Sequence, residues 1–171
     1  MTLVYLDTET TGLDPERHHV WEIAWALDDG PILSTLVPHT LAGADPKALE
    51  LNGYYERITE THEFRKVVTA EGDLRNILEG ATVVGSNPAF DTAFLRHRWG
   101  VAPWHHRLLD VAAYGMGVLN RNRPEGLASV AGYLRQEGHD IPEPDHTAAG
   151  DVACLRATFK ALQRVRMGAH A

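Results

Sequence analysis

Asp7 and Glu9 stand one residue apart at the end of a short apolar run, in the stretch Val4-Tyr5-Leu6-Asp7-Thr8-Glu9-Thr10-Thr11-Gly12-Leu13. Alternate side chains of a β-strand share a face, so both carboxylates point the same way. Like charges held that close repel. A hard divalent cation, which takes carboxylate oxygens and keeps some waters, is the usual remedy. For this stretch alone, a solvated strand end with two acids is the plain alternative. Two more acids sit where helices ordinarily carry apolar residues. Asp91 falls in the first turn of a helix, with Leu95 at i+4, and Asp151 falls near the start of the last helix, with Leu155 at i+4. Each alone could simply complement a helix dipole. Both follow turns able to meet the end of the first strand. His146 lies in the loop five residues before Asp151. An imidazole with a pKa of about 6.5 suits a general base acting on water. Brought together, four carboxylates balanced by two Mg²⁺ or Mn²⁺ ions make a site for in-line attack on a phosphodiester.

The elements that must position these groups are legible in outline. Residues 2–7, 21–27 and 32–37 read as strands. The last two are joined by the turn Asp28-Asp29-Gly30-Pro31, which predicts an antiparallel meander. Asp45-Pro46 starts a helix that runs to about Asn52-Gly53. The polar stretch 54–70 reads as loop with a helical turn. A helix over 71–79 places Leu74, Ile77 and Leu78 on one face, and Gly80 ends it. A short strand at 82–85 turns through Ser86-Asn87-Pro88 into a helix over 89–99. A strand at 107–110, helices at 111–119 and 126–137, and a long helix over 148–165 complete the chain, with 167–171 expected to fray. Antiparallel strands followed by alternating helix and strand predict a mixed-sheet α/β domain.

The 171-residue length suits one globular domain. Hydrophobic and charged contents of 44% and 23% are ordinary for a soluble protein. No apolar run approaches the roughly 20 residues of a membrane span, and the start lacks a signal-peptide pattern. An intracellular, cytoplasmic protein is expected. The single cysteine, Cys154, excludes an internal disulfide and a cysteine-based zinc site. Ten histidines include the pairs His18-His19 and His105-His106, without zinc-ligand spacing. A net charge of −7 argues against nonspecific coating of nucleic acid, which needs a basic face. It leaves open an enzyme that acts on a strand end.

Three motifs in order give the chain its likeness. Residues 6–12, Asn87-Pro88-Ala89-Phe90-Asp91-Thr92-Ala93-Phe94-Leu95, and His146-Thr147-Ala148-Ala149-Gly150-Asp151 resemble the three motifs of the DEDD superfamily of 3′→5′ exonucleases. The histidine five residues before Asp151 is similar to the DEDDh branch; the sister branch has a tyrosine where Thr147 stands. The resemblance covers about residues 3–160 and implies that 1–171 is a single exonuclease domain. It implies an RNase H-like mixed five-stranded sheet flanked by helices. It implies two Mg²⁺ ions, with Mn²⁺ as a substitute, held by Asp7, Glu9, Asp91 and Asp151, and His146 as the base. It further implies that Thr8, Thr10, Thr11, Gly12 and Leu13, with Asn87 and Phe90, bind the terminal nucleotide. The substrate would be a single-stranded 3′ end of DNA or RNA, cut to nucleoside 5′-monophosphates in proofreading, repair or turnover. A polymerase is a candidate partner; a membrane is not. RNA trimming on the same fold is an alternative. Ser86, where many members carry histidine, and Pro88 are departures.

Two other classes share part of the pattern. Phosphatases of the haloacid dehalogenase type also begin with a strand ending in a nucleophilic Asp and an acid two residues on. They need a separate catalytic lysine, for which Lys47, Lys66 and Lys160 lack the context. A non-catalytic binding module could keep the fold without the activity, but every catalytic residue type is present.

Overall fold

The computed structural model describes residues 2–58, 64–123 and 125–168. Among them, strands β1 (Leu3–Thr10), β2 (Val20–Leu27), β3 (Leu33–Leu36), β4 (Thr82–Gly85) and β5 (Leu109–Asp110) form one sheet in the order β3-β2-β1-β4-β5. β1–β2 and β2–β3 pair antiparallel, whereas β1–β4 and β4–β5 pair parallel. This is the predicted mixed sheet. The helices are α1 (Pro46–Leu51), α2 (Tyr54–Arg57), α3 (Phe64–Ile77), α4 (Pro88–Trp99), α5 (Val111–Val118), α6 (Leu127–Gln136) and α7 (Ala148–Gly168). No helix among the described residues is long and apolar enough to cross a membrane.

The two-residue alternation of β1 sorts the molecule into layers. Tyr5, with Ala24 and Ala26 of β2, packs on Ala148, Val152, Leu155 and Phe159 of α7, joined by α5 and α6. Val4 and Leu6, with Ile23 and Trp25, pack instead on Leu74 of α3 and on Phe94 and Leu95 of α4. Each large apolar side chain removed from water contributes on the order of 1.5–3 kcal/mol. β1 therefore stands between two cores, and the acids that continue its alternation are fixed by both. A smaller cluster of Trp21, Leu49 and Tyr54 holds α1 and α2 against β2. α5 lies so close to α6 that a Cβ on Gly115 would come within 2.7 Å of Val130.

Several boundaries differ from the sequence expectations. β1 continues to Thr10 rather than ending at Asp7, because β2 pairs with it as far as Val20. β5 is only Leu109–Asp110, the two residues that find partners on β4. The stretch 54–70 contains the expected helical turn, α2, but α3 already starts at Phe64 instead of 71. Once a helix is anchored by a buried residue such as Leu74, each added residue gains a hydrogen bond, and the helix extends back to Phe64. Residues 59–63 lie outside the described residues. α7 likewise runs on to Gly168. Of the segment expected to fray, 169–171 lie outside the described residues.

Candidate active site

Asp7 and Glu9 project from the α7 side of β1, beyond the point where Tyr5 closes the apolar core. Asp151 arrives from the first turn of α7. One oxygen from each of Asp7, Glu9 and Asp151 lies within 4.8 Å of the other two. Asp91 comes from the first turn of α4, in the opposite layer, and is not part of that trio. Its carboxylate is buried and accepts from the Thr8 amide at 3.0 Å and the Thr8 hydroxyl at 2.7 Å. The four acids thus surround β1 from both sides at residues 7–9.

The electrostatics of this arrangement are hostile to charge. Burial first, then Asp91, Asp151, Glu9 and Glu22, push the Asp7 carboxyl well above the ordinary range. Burial, Asp151 and Glu22 raise Glu9 to about 8, against hydrogen bonding from Asn52 and the charge of Arg57. Burial raises Asp91 to about 7 in spite of its bonds from Thr8. Asp151 is raised by burial and partly relieved by the charge of His146 and backbone hydrogen bonds from His146 and Asp145. Oδ1 of Asp151 is buried without a hydrogen-bond partner. Converging carboxylates, raised by mutual repulsion and holding an unpartnered oxygen, fit a hard divalent cation. Asp7, Glu9 and Asp151 are the residues able to hold it together, and Asp91 lies beside Asp7.

His146 is exposed and adopts a left-handed backbone with φ of 59°. The loop around it is tightly built. The Asp145 carboxylate accepts from the amide and hydroxyl of Thr147, at 3.0 and 2.8 Å, and the Thr147 hydroxyl accepts from the Gly150 amide at 2.9 Å. A Cβ at Gly150 would meet the Asp145 carboxylate, so a larger residue there requires that carboxylate to move.

The residues expected to meet substrate divide into two groups. Thr8 is tied to Asp91, the Thr10 hydroxyl donates to the Gly12 carbonyl at 2.7 Å, and the fully buried Thr11 hydroxyl accepts from the His19 amide at 2.9 Å. These side chains hold the loop. Gly12 gives room to His18, whose ring would lie 2.5 Å from any Cβ there. Leu13 is 76% exposed, an apolar side chain in the loop that follows β1. Asn87 precedes α4 with φ of 55°, and its amide donates to Asp110 at 3.2 Å. Phe90 is half-buried and packs on Phe94 with ring centroids 4.8 Å apart.

Three residues around the site were not anticipated. Glu22 faces Glu9 across the sheet and is buried. Arg57 of α2 pairs with it at 2.5 Å. Buried Asn52 donates to the Thr10 carbonyl at 3.0 Å and steadies the end of β1. A signal existed for Glu22, the lone charge in the apolar run Val20–Leu27. Nothing in the sequence marked Arg57, whose partner is distant along the chain.

No family model matches the chain. An oligoribonuclease of Alkalilimnicola ehrlichii is 29% identical over 178 residues, covering 94% of this chain and 90% of the relative. An oligoribonuclease of Haemophilus ducreyi is 29% identical over 128 residues, covering 64% of this chain and 70% of the relative. A solved structure titled "apo form of the nuclease" superposes with a TM-score of 0.59 at 16% identity, covering 98% of this chain and 74% of that one. That likeness concerns the fold alone: mixed sheet and flanking helices are consistent with an RNase H-like fold. The two oligoribonucleases, together with this fold, then support the DEDD superfamily and a 3′→5′ exonuclease, a hydrolase acting on nucleic acid.

Proposed function

We propose that this chain is a DEDDh-type exonuclease that removes nucleotides from the 3′ ends of short single-stranded RNA. The observation that carries the reading is the convergence of Asp7, Glu9 and Asp151 from β1 and α7, with Asp91 of α4 alongside. RNA is preferred to DNA because the relative that matches 94% of the chain, and a second that matches 64% of it, are oligoribonucleases. Two divalent cations, Mg²⁺ or Mn²⁺, would be held by Asp7, Glu9, Asp151 and Asp91. When bound, they supply Lewis acidity to the phosphodiester and the attacking water.

The residues of the chain do the rest. His146, at the exposed edge of the cluster, takes a proton from the attacking water. Water oxygen bonds to phosphorus as the bond to the 3′ oxygen breaks, releasing a nucleoside 5′-monophosphate. Exposed Leu13 and half-buried Phe90 offer apolar surface to the terminal base. Stacking of this kind tolerates any base, so sequence preference is low. The loop braced by Thr10 and Thr11 supplies backbone groups for the same nucleotide.

The test compares rates on matched short RNA, single-stranded DNA and duplex DNA, with Mg²⁺, with Mn²⁺ and with chelator. Fastest release of 5′-monophosphates from the 3′ end of short RNA, abolished by chelator, is expected. Undiminished hydrolysis in chelator would overturn the metal reading, and faster hydrolysis of DNA the substrate reading.

A further inference from the structure

Glu22 is a buried carboxylate with no role so far in the chemistry. Its surroundings are specific. Oε2 accepts from Arg57 at 2.5 Å and from the backbone amide of Ala148 at 3.0 Å. Ala148 is the first residue of α7, fully buried, between His146 and Asp151. The amides of a first helical turn have no partner within the helix, and an acceptor must come from elsewhere. Here it comes from 126 residues away, on β2. Glu22 also sits directly opposite Glu9 in the register, where β2 carries an irregularity between the partners of Glu9 and Thr10. Such bulges re-aim side chains near functional sites.

Arg57 is held as carefully. Its guanidinium lies 4.8 Å over the Trp21 ring and donates to the Asn52 carbonyl at 3.2 Å. Asn52 in turn bonds the Thr10 carbonyl at the end of β1. One chain of contacts therefore joins the end of β1, α2, β2 and the start of α7. Its two ends carry Glu9 on one side and His146 with Asp151 on the other.

We propose that Glu22 and Arg57 are positioning residues for the site described above: Glu22 clamps the Ala148 amide and so sets α7, with Asp151 and His146, against Asp7 and Glu9, while Arg57 neutralises the clamp so that it does not join the acids. The inference rests on the proposed exonuclease function. A buried carboxylate beside four others would be repelled; its guanidinium partner makes it a hydrogen-bond acceptor instead of a further cation ligand.

The test uses wild type, Glu22→Ala, Glu22→Gln and Arg57→Met in the full chain. Three quantities are read: hydrogen exchange at the Ala148 amide, Mn²⁺ affinity by calorimetry, and kcat and KM on a short oligoribonucleotide. In Glu22→Ala, Ala148 exchanges about 10- to 100-fold faster, the factor carried by a hydrogen bond to a charged group. Mn²⁺ binds more weakly, and kcat falls while KM stays within about threefold. Glu22→Gln, which keeps an acceptor, restores all three to within about threefold of wild type. Should Glu22→Ala fail to fold, Arg57→Met carries the test, with the same readouts moving in the same direction. Unchanged Ala148 exchange and Mn²⁺ affinity in the folded variant would overturn the proposal. So would a Glu22→Gln protein as impaired as Glu22→Ala with Ala148 still protected, since charge rather than the clamp would then matter. A wild type that hydrolyses no oligonucleotide removes the proposed function, while exchange and metal affinity still decide for or against the clamp.

Discussion

Asp7 bears more of the site's repulsion than any neighbour, since four other carboxylates act on it. Asp7→Asn should therefore fold normally or gain stability without metal, yet lose activity by on the order of 10³ or more, as expected when transition-state electrostatics are removed. Parallel melting and rate measurements check both halves. His146→Ala should cost about 10² or more if the imidazole is the base; a near-normal rate between about pH 6 and 9 would exclude that role. Titration gives a third expectation. Glu9 at about 8 and Asp91 at about 7 lie above their values in an unfolded chain, so the folded protein holds extra protons between those limits. Stability then falls as pH rises from about 5 to 8 in chelator. A loss of about 2 kcal/mol would lower Tm by roughly 4–8 °C in a domain of this size. A flat or rising Tm would show the acids to be charged already.

At the scale of elements, α7 and its preceding loop are the delicate part. Gly150→Ala would drive a methyl group into the Asp145 carboxylate and displace the His146 turn. A cost of about 1–3 kcal/mol in stability is expected from such overpacking, with kcat reduced more than KM is raised. The sequence made the main acids legible for a physical reason: strand period places Asp7 with Glu9, and helix period exposes Asp91 and Asp151 as acids in apolar company. The left-handed backbone of His146 and the service of Asp145 as a brace were not legible, because they arise from closure of the loop on α7. The reach of α3 back to Phe64 had a sequence signal, since Val67, Ala70, Leu74 and Ile77 keep helical spacing, but the charged residues between them mask it. Glu22 was legible as an oddity in an apolar strand, but its meaning depended on Arg57 and Ala148, contacts that no local pattern encodes.

At the scale of the whole molecule, the acids introduce a penalty that a bound cation would remove. Adding Mn²⁺ at about 100 times its dissociation constant should stabilise the fold by about 2.7 kcal/mol by mass action alone. At one fixed Mn²⁺ concentration the gain should be larger at pH 8 than at pH 5, because more protons need displacing at the lower pH. Calorimetric scans with and without Mn²⁺ at the two pH values measure this. Cohesion within the α5–α6–α7 layer depends on close approach: Gly115→Val would meet Val130 on α6 and Leu162 on α7 and should destabilise by about 1–3 kcal/mol without altering KM.

β1 is the middle strand, bonded to β2 along its length and to β4 at Leu3–Tyr5. Asp7 and Glu9 ride on an element whose displacement dismantles both cores. Heat inactivation should for that reason track the collapse of the entire molecule: residual activity and intrinsic tryptophan fluorescence, with Trp21 and Trp25 on the adjacent strand, should decay along the same curve. An enzyme that lost activity well before its fluorescence would have its weak point in the loop of His146 instead.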